Sequence, residues 1–369
     1  MDRKFFNDRG VIARWREFLP VTDATPVVSL NEGSTPLIYA PRLSALVGRG
    51  RRVFVKYEGL NPTGSFKDRG MTVALSKALE AGARAVICAS TGNTSAAAAA
   101  YAARAGMGCY VLLPAGKIAM GKLTQAVVHG ARTVTVDGSF DDALRLVREA
   151  AESGAPVAVV NSINPHRLEG QKTAAFEIIE DLGDAPDAHL LPVGNAGNVS
   201  AYWKGYREFH DLGRATHLPR MIGFQASGAA PIYHDQVIDA PETLASAIRI
   251  GNPASWKLAT GAMTDSSGAV DIVSDEEILH AQRWLAANEG IFVEPASAAG
   301  VAGLLRYAAD DAPDGRALAA LRAVPDDGVM VITVTGHGLK DPDAILKQGI
   351  ELDPPIPATR EAILGLLGV

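Results

Sequence analysis

The chain has 369 residues, 47% of them hydrophobic and 21% charged, with a formal net charge of −6. That length exceeds one small core and predicts two domains, and the acidic balance argues against nucleic acid as the main ligand, because a phosphate backbone demands a basic face. No apolar run is long enough to span a membrane, and the start, Met1-Asp2-Arg3-Lys4-Phe5, carries no signal-peptide core.

In chain order, the first marked element is Asn61-Pro62-Thr63-Gly64-Ser65-Phe66-Lys67-Asp68-Arg69-Gly70, a turn-forming stretch that opens a helix. Ser65 is expected to cap that helix, with Asp68 completing a variant of the capping box. Lys67 then falls in the first turn, among unpaired N–H groups at the positive end of the helix dipole. That field disfavours an ammonium and favours a nucleophilic amine suited to a Schiff base. A solvated surface lysine is the commoner meaning of such a position, so the choice rests on the remainder of the chain.

Short apolar runs at 86–89, 109–113, 133–136 and 157–160 read as strands, separated by helical patterns at 94–105, 122–129 and 141–153. Further strands are expected at 190–193, 221–224 and 329–334, with helices near 171–182, 200–212, 275–288 and 296–309. Near-continuous apolar strands alternating with helices predict parallel sheets covered on both faces, an α/β fold of two domains with a cleft between them. The expected division is an N-terminal segment 1–55 packing on the large domain, a small domain 56–160 and a large domain 161–369. Residues 231–267, rich in Pro, Gly and Ser, read as irregular, and 354–369 as a loop and a short amphipathic helix.

Several segments lie where a strand gives way to a helix, the place where open α/β sheets bind ligands. Ser90-Thr91-Gly92-Asn93-Thr94 gathers hydroxyls and a carboxamide at a helix start, more than capping alone requires. Gly194-Asn195-Ala196-Gly197-Asn198 can form a nest of N–H groups around a phosphate, or a tight turn alone. It is not GxGxxG, so a phosphate monoester fits better than a dinucleotide. Thr335-Gly336-His337-Gly338 places a neutral hydroxyl at a strand end, with His337 expected in a surface loop. Asn161, Ser162 and Arg167 form a polar set after a strand that could hold a second phosphate, Arg167 as a planar fork, or Arg167 could pair with Glu169. Gly116-Lys117-Ile118-Ala119-Met120-Gly121-Lys122 imitates a P-loop, but Leu123 stands where magnesium needs a hydroxyl. The histidines are scattered and no metal centre is expected. Cys88 and Cys109, the two cysteines, sit in apolar runs and form neither a zinc site nor a disulfide framework, which fits a reducing cytoplasm.

Taken together these segments resemble the threonine synthases, of the tryptophan-synthase-β-like group of pyridoxal-phosphate enzymes (fold type II). The resemblance runs from Glu32-Gly33-Ser34-Thr35-Pro36-Leu37 through the Lys67 motif to Gly251-Asn252-Pro253-Ala254-Ser255-Trp256, Glu294-Pro295-Ala296-Ser297-Ala298-Ala299 and Thr335. It implies pyridoxal 5'-phosphate held by Lys67 in a Schiff base within the interdomain cleft. It implies contacts of that cofactor with Asn93, Gly194, Asn195, Ala196, Gly197, Asn198 and Thr335. Ser90, Thr91 and Thr94 would hold the α-carboxylate of the substrate, O-phospho-L-homoserine, and Asn161, Ser162 and Arg167 its phosphate. A cytoplasmic homodimer with no metal, membrane or nucleic-acid partner is implied as well. A serine or threonine dehydratase of the same fold is the alternative, and a non-catalytic phosphate-binding protein a more distant one.

Overall fold

The computed structural model describes residues 9–367 except 91, 115–119, 139, 309–311, 313, 343 and 345–353. Two sheets organise the chain. The larger has the order β1-β2-β10-β7-β8-β9, built from Leu37–Tyr39 (β1), Arg52–Tyr57 (β2), Val329–Val334 (β10), Ala188–Pro192 (β7), Arg220–Ala226 (β8) and Ala269–Val273 (β9). Every neighbouring pair in it is parallel except β1 with β2. The smaller sheet is wholly parallel, in the order β5-β4-β3-β6, from Arg132–Val136 (β5), Gly108–Pro114 (β4), Ala85–Ala89 (β3) and Val157–Val159 (β6). Strands β3 and β7 are buried along their whole length, which is why their sequences run apolar rather than alternating.

The expected boundary between residues 55 and 56 falls inside β2. Strands β1, β2 and β9 are absent from the sequence reading: β1 is only three residues long, and β9 carries a buried aspartate, Asp271, that breaks its apolar run. More than half of the stretch 231–267 is irregular, as expected, but not all of it. It contains short helices and the helix Trp256–Asp265, whose buried face is Ala259, Ala262 and Met263.

Two helices carry the functional junctions. The helix Lys67–Glu80 (α3) and the helix Pro165–Leu182 (α7) pack closely at two glycines. A Cβ on Gly170 would lie 1.9 Å from the Arg69 carbonyl oxygen, and one on Gly70 would lie 2.8 Å from the Arg167 carbonyl oxygen. Helix α7 begins six residues before the expected start at Gln171. Asn164 caps it, accepting from the His166 N–H at 3.0 Å, and Pro165 occupies the first turn. That Asn-Pro pair is a helix-start signal visible in the sequence.

Below this contact lies a buried charge network. The Arg69 guanidinium donates to both Glu58 oxygens at 2.7 and 2.8 Å and to both Glu177 oxygens at 2.7 Å. Lys56 Nζ, fully buried, donates to Glu177 at 2.9 Å and to the Thr35 carbonyl at 2.7 Å. Burial alone would raise the Glu177 carboxyl, but Arg69 and Lys56 outweigh it and hold it well below the usual range. Glu177→Gln should therefore lower unfolding stability by about 3–5 kcal/mol near neutral pH, read from urea titrations. Because the folded carboxyl is depressed, its contribution is present above the ordinary glutamate value of 4.5 and is lost as the pH falls below it. The substitution should flatten that acid limb.

Candidate active site

The sequence-predicted residues sit at the C-terminal ends of parallel strands: Ser90 after β3, Asn161 after β6, Gly194 after β7 and Thr335 after β10. The Lys67 segment is tied to the last of these by backbone hydrogen bonds. Phe66 N–H donates to the Thr335 carbonyl at 3.0 Å, and His337 N–H donates to the Gly64 carbonyl at 2.9 Å. Lys67 is therefore the first residue of α3 and is fixed to the end of β10.

The capping expectation needs correction. Ser65 Oγ accepts from the Lys67 N–H only at 3.4 Å, and Asp68 turns back to Thr63, accepting from its N–H at 2.7 Å and its hydroxyl at 2.6 Å. The reactive-lysine expectation has a firmer cause than the helix dipole. Burial, and then the nearby Arg167 cation, hold the Lys67 amine well below an ordinary lysine, with Glu294 pulling the other way. Its Nζ lies 4.1 Å from the centre of the Phe66 ring.

Arg167 lies in the first turn of α7, ahead of the helix start expected at Gln171, and it does not pair with Glu169. It is 2% exposed, donates to the Val160 carbonyl at 3.1 Å, and leaves its buried Nε without a partner among the described residues. Burial lowers its guanidinium to about 10. Asn161 is occupied differently from the expectation. Its carboxamide accepts from the Ala89 N–H at 3.0 Å and donates to the Ala89 carbonyl at 2.9 Å. It clamps the segment after β6 to the end of β3. Ser90 Oγ accepts from the Gly92 N–H at 3.2 Å, and Thr94 is buried in the first turn of the helix Asn93–Ala105. Thr91 and residues 116–119 of the P-loop-like stretch lie outside the described residues.

The glycine-rich loop ends at the helix Gly197–Asp211 (α8). Its N-cap, Ala196, has a left-handed backbone (φ 62°) and offers no side-chain cap. The first N–H groups of α8 therefore have no capping side chain. Asn198 is buried, and neither end of its carboxamide has a partner among the described residues. An uncapped helix start beside an orphaned carboxamide fits a phosphate group. Asn195 fastens the loop to the 251–256 segment, its carbonyl accepting from the Ser255 N–H at 3.1 Å.

Comparison with known proteins agrees with this geometry. The pattern of the family described as pyridoxal-phosphate dependent enzyme matches residues 28–322. The threonine synthase of Synechocystis sp. is 55% identical over 98% of this chain and 91% of its own length. That of Mycobacterium tuberculosis is 56% identical over 98% of this chain and 96% of its own. The chain belongs to the threonine synthase family of pyridoxal-phosphate-dependent enzymes. Among solved structures, maize serine racemase superposes with a TM-score of 0.69 at 20% identity, covering 85% of this chain and 92% of that one. The processed threonine deaminase isoform 2 of Solanum lycopersicum also gives 0.69 at 20%, covering 86% and 89%. These last likenesses establish the shared fold type II architecture alone.

Sequence reasoning gave no role to several residues that the structure places against the predicted ones. Ser297 Oγ lies 2.8 Å from Thr335 Oγ1 and accepts from the Gly336 N–H at 2.8 Å. Glu294 accepts from Asn93 Nδ2 with both oxygens. Lys340 Nζ donates to the Thr63 carbonyl at 2.9 Å and also to Gln125. His337, expected in a surface loop, is instead partly buried and stacks on Tyr57, ring centres 6.0 Å apart. Signals for these contacts are weak, because the partners lie 38 to 277 residues apart in the chain.

The depressed Lys67 amine predicts that cofactor capture by the apoprotein levels off at a lower pH than for a free lysine. Arg167→Met removes the cation that helps hold Lys67 down and should move that profile to higher pH, measured by following the visible absorbance on mixing.

Proposed function

We propose that this chain converts O-phospho-L-homoserine and water into L-threonine and phosphate, working with pyridoxal 5'-phosphate as a cytoplasmic homodimer. The observation that carries the substrate assignment is Arg167: a buried guanidinium with no carboxylate partner among the described residues, close enough to Lys67 to depress it. A dehydratase needs no second anion site.

In this reading Lys67 holds the cofactor covalently. The backbone of 194–198 and the Asn198 carboxamide hold its phosphate. Asn93 and the Thr335 hydroxyl, the latter 2.8 Å from Ser297 Oγ, would hold the cofactor's ring. As a neutral partner Thr335 would make the ring a milder electron sink than an aspartate would, which suits elimination and discourages transamination. When bound, the cofactor supplies the electron sink for carbanion chemistry.

Ser90, Thr91 and Thr94 receive the substrate α-carboxylate. The Lys67 amine would stand as general base, taking the proton at Cα and then one at Cβ. Arg167 and Ser162 hold the phosphate as the Cγ–O bond breaks. Asn161 contributes chiefly by pinning the two loops together, with one amide N–H left to donate. One proton would then return to Cγ, water would add at Cβ to give the threonine hydroxyl with its proton leaving on the phosphate, and the second proton would return to Cα.

Incubation with O-phospho-L-homoserine should release phosphate and threonine in equal amounts. Ammonia and a keto acid from threonine, without phosphate from phosphohomoserine, would reject this reading in favour of the dehydratase. Arg167→Ala should lower kcat/KM for phosphohomoserine roughly 100-fold, equal to about 3 kcal/mol, the loss expected for charge-assisted hydrogen bonds to a leaving phosphate.

A further inference from the structure

Glu294 stands between the two halves of the site. It precedes the short 3-10 turn Pro295–Ala298, its N–H donates to the Gly336 carbonyl at 3.1 Å, and its carbonyl accepts from the Ser297 N–H at 3.0 Å. Its backbone is thus locked to the loop that carries Thr335. Its side chain is buried, and the carboxylate lies against Gly336, where a Cβ would sit 2.4 Å from Oε1. From there it reaches across to the other sheet's loop and takes Asn93 Nδ2 at 2.9 and 3.1 Å.

A carboxylate only accepts hydrogen bonds, so the nitrogen end of the Asn93 carboxamide must face it. That contact removes the two-fold ambiguity of the amide and leaves the second N–H and the oxygen for other partners. The same carboxylate acts on Lys67, opposite in sign to Arg167 from α7, and it also faces Lys340 beside Asp68.

We infer that Glu294 is a positioning residue, holding Asn93 in the orientation its cofactor contact requires and supplying the negative charge that balances Arg167 around Lys67. The inference rests on the roles of Lys67 and Asn93 proposed above. Glu294 acts through Asn93 for cofactor retention and through space for Lys67, and these two effects separate experimentally.

The test uses the holoenzyme and its Glu294→Gln, Glu294→Asp, Asn93→Ala and Glu294→Gln/Asn93→Ala variants. Two quantities are read: the pH midpoint of the visible absorbance of the Lys67–cofactor linkage, and the cofactor dissociation constant. Glu294→Gln should lower the midpoint by on the order of one pH unit, because a nearby negative charge favours the protonated form. It should raise the dissociation constant roughly tenfold, the weight of one charge-assisted hydrogen bond. In the Asn93→Ala background the same change should add less than about twofold to the dissociation constant, because the partner is already gone. Glu294→Asp keeps the charge but withdraws from Asn93, so it should weaken cofactor binding while leaving the midpoint in place.

An unchanged midpoint in Glu294→Gln, or a full tenfold loss added on top of Asn93→Ala, overturns the inference. If Glu294→Gln does not fold, Glu294→Asp decides, and undiminished cofactor binding in it overturns the inference. Wild-type protein in which borohydride traps no cofactor on Lys67 overturns both the inference and the reading beneath it. Trapping on Lys67 with an unaltered Glu294→Gln overturns the inference alone.

Discussion

The Arg69 guanidinium is the constraint on which the site depends. It is buried between two carboxylates from different parts of the chain, Glu58 after β2 and Glu177 on α7, and it lies two residues beyond Lys67 on α3. A buried ion pair roughly breaks even against well-packed apolar groups, yet breaking one leaves an uncompensated charge at a cost of several kcal/mol. Such a network therefore penalises displacement more than it adds stability. With five donors in a planar fork, arginine can satisfy four carboxylate oxygens at once, which a lysine cannot. The start of α3 is held by this fork and by the Phe66–Thr335 backbone bond, so Lys67 inherits its position from the larger sheet and from α7.

Electrostatics in the cleft follow from the same placement. Desolvation and Arg167 push Lys67 toward the neutral amine, and Glu294 limits the effect. Arg167 keeps its charge at neutral pH even after burial lowers it to about 10. The site thus presents a weakly basic amine beside a permanent cation, a pairing suited to a substrate that carries both a reactive carbon centre and a phosphate. The uncapped start of α8 and the orphaned Asn198 carboxamide offer neutral dipoles rather than charge, an arrangement that fits an anion.

How far the site was legible in the sequence depended on chain distance. The junctions at 90–94 and 194–198 declare themselves because turn residues, hydroxyls and glycines cluster directly after apolar strands, and 61–70 because a turn-forming stretch opens a helix. Helix α7 was signalled by Asn164-Pro165, and missing that signal left Arg167 outside the expected helix. The supposed capping partner of Ser65, Asp68, instead serves Thr63, since a hydroxyl and an N–H on the preceding turn compete for the same carboxylate. Asn161 looked like a phosphate ligand because it is polar and follows a strand. The backbone of Ala89, 72 residues away, proved to be its partner. Contacts of that kind, including Glu294 with Asn93 and Ser297 with Thr335, join segments that no local pattern relates.

Helix α7 ties these parts into one device. Its first turn brings Arg167 to the cleft and bonds it to the end of the smaller sheet at Val160. One residue later Leu168 lies against Gly197, its Cδ2 3.7 Å from where a Cβ there would stand. At Gly170 the helix touches α3 so closely that no side chain fits between them. Two turns further on, Glu177 grips Arg69. A single rigid element therefore contacts the Lys67 helix, the phosphate loop and the smaller sheet. Displacing Arg167 would therefore strain the helix's contacts with α3, with the 194–198 loop and with the end of the smaller sheet together.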